Sequence, residues 1–172
     1  MCRARAARGR RSGAFSGGSI GGGGVAGGFG QALFHLLGTD GAASNNRQDM
    51  FGEIRSAALL AKGVTGDPTV ASARTALEMA TLRAAKAMGR GDDLGSLEVG
   101  KLADVVAVSL DSVECQPVYN AAAQLVYVAG REHVSHVWVG GRPLLRDRQL
   151  TSIDVPALLA EVRDVVGRMK AG

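Results

Sequence analysis

From residue 31 onward the apolar and polar positions follow patterns that separate helix from strand. The run "ALFHLLG", residues 32 to 38, is apolar and stops at Gly38, which suits a short buried strand presenting Thr39 and Asp40 at its C-terminal end. "DMFGEIRSAALLAKG" then places Met50, Ile54, Ala57 or Ala58 and Leu60 or Ala61 at helical spacing, with Asp49 as N-cap and Gly63 as the stop. A second helical block, "SARTALEMATLRAAKAMG", repeats Ala and Leu or Met at i, i+3 and i+4. It starts after Ser72 and ends at Gly89, with Thr81 as a place where the helix breaks and restarts.

Beyond Gly89 the pattern becomes strand-like. "GSLEVGKLADVVAVSL" reads as a turn and then a strand dense in β-branched residues, "ADVVAVSL". "QLVYVAG" and "VSHVWVGGRPLL" follow as two further strands of an antiparallel sheet. The last segment, "DVPALLAEVRDVVGRMKAG", has Asp154 as cap and Pro156 in the first turn. Leu158, Leu159, Val162, Val165, Val166 and Met169 line one side, which predicts a terminal helix with a core-facing stripe.

Residues 1 to 31 have a different texture, with five arginines in the first eleven positions and then eleven glycines between Gly9 and Gly30. So few side chains able to pack cannot offset backbone ordering entropy, and the segment is expected to be disordered. "GGGVAG", Gly22 to Gly27, formally matches G-x-G-x-x-G. It lacks the preceding strand and following helix that a dinucleotide site needs, and in a Gly-rich tract the match arises from composition.

Charge and length narrow the function. The net charge of +4 belongs to the N-terminal segment, since residues 1 to 39 hold five arginines and no acid while residues 40 to 172 hold 15 basic and 16 acidic side chains. With 172 residues the chain suits one ordinary domain but not a whole TIM-type barrel, which needs roughly 200 residues or more. Cys2 and Cys115 form no metal-ligand spacing and point to a reduced, cytoplasmic setting. There is no apolar run of the roughly 18 to 20 residues that a membrane span needs. The basic start is followed by glycines instead of the roughly 7 to 15 apolar residues of a signal peptide.

The order of motifs, "LGTDGAASNN", "DMFGEIRSAALLAK", "ALEMATLRAAKAMG", "GSLEVGKLADVVAV" and "VSHVWVGGR", resembles the C-terminal part of the amidohydrolase superfamily. Within it, the chain looks most like the 5-methylthioadenosine/S-adenosylhomocysteine deaminases and triazine-type chlorohydrolases. The resemblance covers about residues 36 to 154 and leaves the first 30 or so outside, as an accidental start in front of a truncated hydrolase would. It implies an α/β fold: the end of a metal-dependent (β/α)8 barrel at residues 32 to 89, part of a small β-sandwich at 90 to 152, and a terminal helix at 153 to 172.

It also implies chemistry. "FHLLGTD" would be the last barrel strand, and Asp40 the aspartate there that ligates a divalent metal, usually zinc, and shuttles a proton. Barrel active sites lie at the C-terminal ends of strands, and a carboxylate beside a metal-activated water can both hold the metal and take the proton. The implied reaction is hydrolytic deamination of an aminopurine nucleoside, a small-molecule substrate, with ammonia departing. Ser44, Asn45 and Asn46 suit a substrate loop and equally suit turn and cap roles.

One departure from the family pattern matters. The family's metal site also takes an H-x-H pair and further histidines, and no H-x-H occurs in this sequence. His133 and His136, three apart in a predicted strand, point to opposite faces and cannot share an ion. His35, beside Phe34 in the apolar run, reads as a core or border histidine. One carboxylate does not make a zinc site, so the chain alone is expected to be inactive. Asp104 reads as a solvated strand start and Trp138 as one face of a sheet. Two other functional classes remain: a non-catalytic interaction module, and nucleic-acid binding through the Arg/Gly-rich segment, which lacks interleaved aromatics. An unpaired "ALFHLLG" would also favour self-association through its strand edges.

Overall fold

The computed structural model describes residues 36 to 171. The Arg/Gly-rich segment, "GGGVAG", Cys2, His35 and most of "ALFHLLG" lie outside the described residues. The described end of that predicted strand, residues 36 to 38, joins no ladder. Leu37 instead donates its N–H to the Met79 carbonyl at 3.0 Å, which fastens the chain just ahead of Asp40 to a helix.

Helix α1 spans Met50–Thr65. Asp49 caps it as expected, its carboxylate accepting the N–H groups of Phe51 and Gly52. The helix does not stop at Gly63. It runs on to Gly66, whose left-handed backbone (φ 68°) turns its N–H back onto the Lys62 carbonyl, a conformation that glycine adopts without Cβ strain. Lys62 reinforces the exit by donating to the carbonyls of Val70 and Ala71 at 2.7 and 2.8 Å. Helices α2 (Ala73–Ala80) and α3 (Leu82–Ala87) are separated by Thr81, which leaves helical geometry at φ −129°, ψ −95°. The predicted break is where the sequence placed it.

The segment "QLVYVAG" is not a strand. Residues Ala121–Tyr127 form helix α4, capped by Asn120, whose side-chain oxygen accepts the Ala123 N–H. Three consecutive alanines after a good cap outweigh the strand preference of Val126 and Tyr127. Packing completes the case, because Val126 is fully buried with Ile54 and Ala58 of α1 and Ala76 of α2. Leu37, Met50, Leu77 and Tyr127 close around that cluster. The core of the described residues therefore lies among three helices, and the small side chains Ala58 and Ala76, both with no exposed area, let them approach closely.

The sheet is a four-stranded antiparallel meander in the order β1 (Val105–Val108), β2 (Val134–Val139), β3 (Arg142–Arg146) and β4 (Gln149–Leu150). "VSHVWVGGRPLL" is two strands and a hairpin turn: Gly140 and Gly141 both have positive φ, the geometry that matches strand twist in a two-residue turn. Val106 faces Val137 and Val105 faces Trp138, with irregularities after Ala107 and Val137. Asp104 is more than a solvated strand start, because its Oδ1 accepts the Gly140 N–H at 2.6 Å and ties β1 to the hairpin. Short 3-10 turns at Val113–Cys115 and Arg131–His133 precede α4 and β2.

Helix α5, Val155–Ala171, forms where expected but not as expected. Its apolar stripe meets no core: Leu158, Leu159, Val162, Val165, Val166 and Met169 are all exposed. Periodicity made the stripe visible, and nothing among the described residues covers it. No helix among the described residues is long and apolar enough to cross a membrane.

Candidate functional site

The loop from Thr39 to Gln48 joins the Leu37 anchor to the capped start of α1. Two of its residues, Asp40 (φ 56°) and Gln48 (φ 45°), sit in the left-handed region that non-glycine residues rarely adopt. Such conformations persist only where surrounding bonds hold them, and they cluster at functional sites.

Asp40 is exposed, and both of its carboxylate oxygens are engaged within the loop. Oδ2 accepts the Ser44 hydroxyl at 2.6 Å and Oδ1 accepts the Gly41 N–H at 2.8 Å. The Ser44 hydroxyl, and then the Gly41 amide, hold the Asp40 carboxyl below its ordinary value of 3.8, burial opposing them only weakly. Asp40 is thus an anion with a hydroxyl beside it. The Gly41 carbonyl accepts the N–H groups of Ser44 and Asn45 at 3.0 and 2.9 Å, closing a tight turn beneath the carboxylate.

Asn45 organises the other half of the loop. Its Oδ1 accepts the N–H groups of Arg47 and Gln48, both at 3.2 Å, and its Nδ2 donates to Glu53 Oε1 of α1 at 2.7 Å. Asp40, Ser44 and Asn45 therefore share one short loop, and Glu53, which no spacing rule in the sequence singled out, joins them. The Arg131 guanidinium reaches the Arg47 carbonyl at 3.5 Å, touching the loop from the region that precedes β2.

The histidines stand apart from this arrangement. His133 is buried, with Nδ1 accepting the Gly130 N–H and Nε2 facing Glu114 Oε1 at 3.0 Å and Ser112 Oγ at 3.1 Å. A histidine bonded at both nitrogens this way ties two 3-10 turns together. His136 stacks on Trp138, ring centroids 5.3 Å apart, with Nε2 at 3.5 Å from Asp147. Cys115 is a buried free thiol. Among the described residues no group of three or more His, Cys, Asp or Glu side chains is placed to hold a metal ion. Asp40 offers one carboxylate, and zinc takes at least three protein ligands. The described residues do not fit a complete zinc centre. A surface cleft of about 530 Å³ lined by Leu82, Lys86, Asp92, Glu98 and Lys101 includes no residue of the Asp40 loop.

The amidohydrolase family model matches residues 31–144, a span that takes in the Asp40 loop, the helical core, the first two strands and the start of the third. The chain belongs to the amidohydrolase family. It is 48% identical over 140 residues to the 5-methylthioadenosine/S-adenosylhomocysteine deaminase of Teredinibacter turnerae, covering 80% of this chain and 32% of that one. The corresponding deaminase of Moorella thermoacetica is 45% identical over 126 residues, 73% of this chain and 29% of that one. Among solved structures, an adenosine deaminase from Xanthomonas campestris with bound zinc superposes with a TM-score of 0.74 at 48% identity, over 80% of this chain and 31% of its own. The zinc complex of an atrazine chlorohydrolase from Arthrobacter aurescens gives 0.60 at 30% identity, over 73% of this chain and 28% of its own. The chain spans about a third of the length of the curated relatives it matches. Its mixture of helices and an antiparallel sheet agrees with the amidohydrolase folds of these neighbours.

Proposed function

We propose that this chain provides the closing part of a metal-dependent hydrolase acting on carbon–nitrogen bonds, of the aminopurine nucleoside deaminase type. In this reading residues 32 to 89 end the barrel, residues 90 to 152 form part of the small sandwich, and the remaining metal ligands come from outside the described residues. One observation carries the proposal. Asp40, the single acid of an exposed, internally braced loop, lies within the segment that matches the family and is 48% identical to a deaminase.

In the complete site a divalent metal, zinc by analogy with the zinc-bound deaminase neighbour, would activate the attacking water. What this chain supplies is Asp40: a carboxylate held ionised by Ser44 and Gly41, ready to act as one metal ligand and to accept a proton. Each carboxylate oxygen accepts one hydrogen bond within the loop and keeps a further lone pair for these roles. The Ser44 hydroxyl, beside that carboxylate, is the group this loop would offer to the substrate. The second Nδ2 proton of Asn45, the one not given to Glu53, is the group this residue would offer to the substrate.

With one carboxylate available, the isolated chain should neither retain zinc nor deaminate. Purified protein, dialysed and assayed for zinc content and for ammonia released from 5′-methylthioadenosine, should show sub-stoichiometric zinc and no ammonia. Near-equimolar zinc or turnover would show that this chain holds a metal centre of its own and would overturn the proposal.

A further inference from the structure

We propose that Glu53 is a positioning residue for the Asp40 loop, acting through Asn45. The inference rests on the reading of Asp40 as the functional carboxylate and adds to it the group that holds its loop in place.

The loop has no regular secondary structure between Thr39 and Asp49, and its left-handed residues at 40 and 48 store strain that something must hold. The Glu53 carboxylate is fixed to the first turn of α1 and accepts the Asn45 Nδ2–H at 2.7 Å in a partly buried setting. A charge-assisted bond sheltered from water is among the stronger ones that a loop can have. From Asn45 the hold passes both ways. Its Oδ1 receives the Arg47 and Gln48 N–H groups, fixing the strained residue 48. Its own N–H bonds the Gly41 carbonyl, and Gly41 in turn donates to Asp40 Oδ1. A continuous run of hydrogen bonds therefore leads from α1 to the carboxylate.

The competing account is that Glu53 only stabilises α1, as an acid near a helix N-terminus does through the helix dipole. The two accounts differ in what they need. The dipole needs the charge, whereas the brace needs only an acceptor oxygen at that position. Glu53 also lies one residue beyond the position from which a glutamate folds back to its cap, and Asp49 already serves the amides of Phe51 and Gly52. A glutamine at 53 keeps the acceptor and removes the charge.

Native-state amide hydrogen exchange on the full chain, unmodified and as Glu53→Ala, Glu53→Gln, Asn45→Ala and the Glu53→Ala/Asn45→Ala double variant, decides between them. Glu53→Ala should accelerate exchange at Gly41 and Ser44 by about ten-fold, the loss of one bond worth roughly 1.4 kcal/mol, while amides in the middle of α1 stay within about two-fold. Glu53→Gln, which keeps the acceptor and loses only the charge assistance, should restore most of the protection at Gly41 and Ser44. Asn45→Ala, which also removes the Oδ1 bonds to Arg47 and Gln48, should accelerate them at least as much, and the double variant no further than Asn45→Ala. Unchanged rates at Gly41 and Ser44 in both single alanine variants would overturn the proposal. So would a loosening of α1 that glutamine fails to restore. Exchange reads the brace whether or not Asp40 handles a metal, so failure here leaves the hydrolase reading to its own assay.

Discussion

The Arg55 guanidinium of α1 donates from Nη2 to the buried Ala129 carbonyl at 2.7 Å and from Nε to the Val126 carbonyl at 3.3 Å. Val126 is among the last residues of α4, whose carbonyls have no helical partner, and Ala129 lies just beyond the helix; Arg55 supplies a donor to both across the core. Through this one side chain the helix that begins at the Asp40 loop is fastened to the element leading into the sheet. Arg55→Ala should destabilise the fold by about 2 to 4 kcal/mol, because a charged donor is lost and buried acceptors go unpaired. Arg55→Lys should recover only part of this, since a point ammonium cannot serve both carbonyls in a fork. Urea denaturation midpoints check both.

Gly63 lies inside α1, and a Cβ built there meets nothing within 4 Å. Its backbone is helical, so an alanine fits without strain. Gly63→Ala should stabilise the protein by about 0.5 to 1 kcal/mol, the usual helix-interior difference between the two residues. The same change at Gly66, at φ 68°, should destabilise it. Opposite shifts in thermal midpoint test the assignment of the helix end.

The low-pH behaviour of the loop should report on Asp40. Its carboxyl is held below 3.8 by Ser44 first and Gly41 second. A depressed folded-state value makes the stabilising contribution full above the unfolded value and lost as pH falls through the folded one. Ser44→Ala removes the larger cause. The Asp40 midpoint, followed by carboxyl ¹³C chemical shift, should rise toward 3.8 in that variant. An unmoved midpoint would mean that the Ser44 hydroxyl does not face the carboxylate in solution.

Met79 of α2 is 2% exposed and receives the Leu37 anchor on its carbonyl. Met79→Ala should cost about 2 to 5 kcal/mol by leaving a cavity between helices. Because that carbonyl holds the chain ahead of Asp40, exchange at the Leu37 amide should quicken as well.

Much of this was legible in the sequence wherever a local rule has only one outcome. The Asp49 and Ser72 caps, the break at Thr81 and strands β1 and β2 all follow from residue type and spacing. The errors came where two local rules competed. At "AAAQLVYVAG" helix-forming alanines behind Asn120 beat the β-branched run, and burial of Val126 decided it. At α1 Gly63 reads as the stop, but the backbone continues to Gly66, where a left-handed turn returns an amide to Lys62. The stripe on α5 shows a third limit: periodicity reveals that a helix is amphipathic and says nothing of what it meets. In the candidate site, Asp40 stood out through the order of motifs around it. The Glu53 brace did not, because a side-chain bond between residues eight apart across a loop follows no periodicity.

The central claim is that Asp40 serves hydrolytic deamination in a metal site completed by residues outside this loop. Its most direct test puts residues 36 to 171 of this chain into the Teredinibacter turnerae deaminase, in place of the third of that enzyme that they match. Ammonia release from 5′-methylthioadenosine is then measured with zinc present, for this chimera and for its Asp40→Asn form. The chimera should turn over, and Asp40→Asn should lower kcat by about 10²-fold or more while the protein stays folded. A folded, zinc-loaded chimera whose activity survives Asp40→Asn would contradict the account.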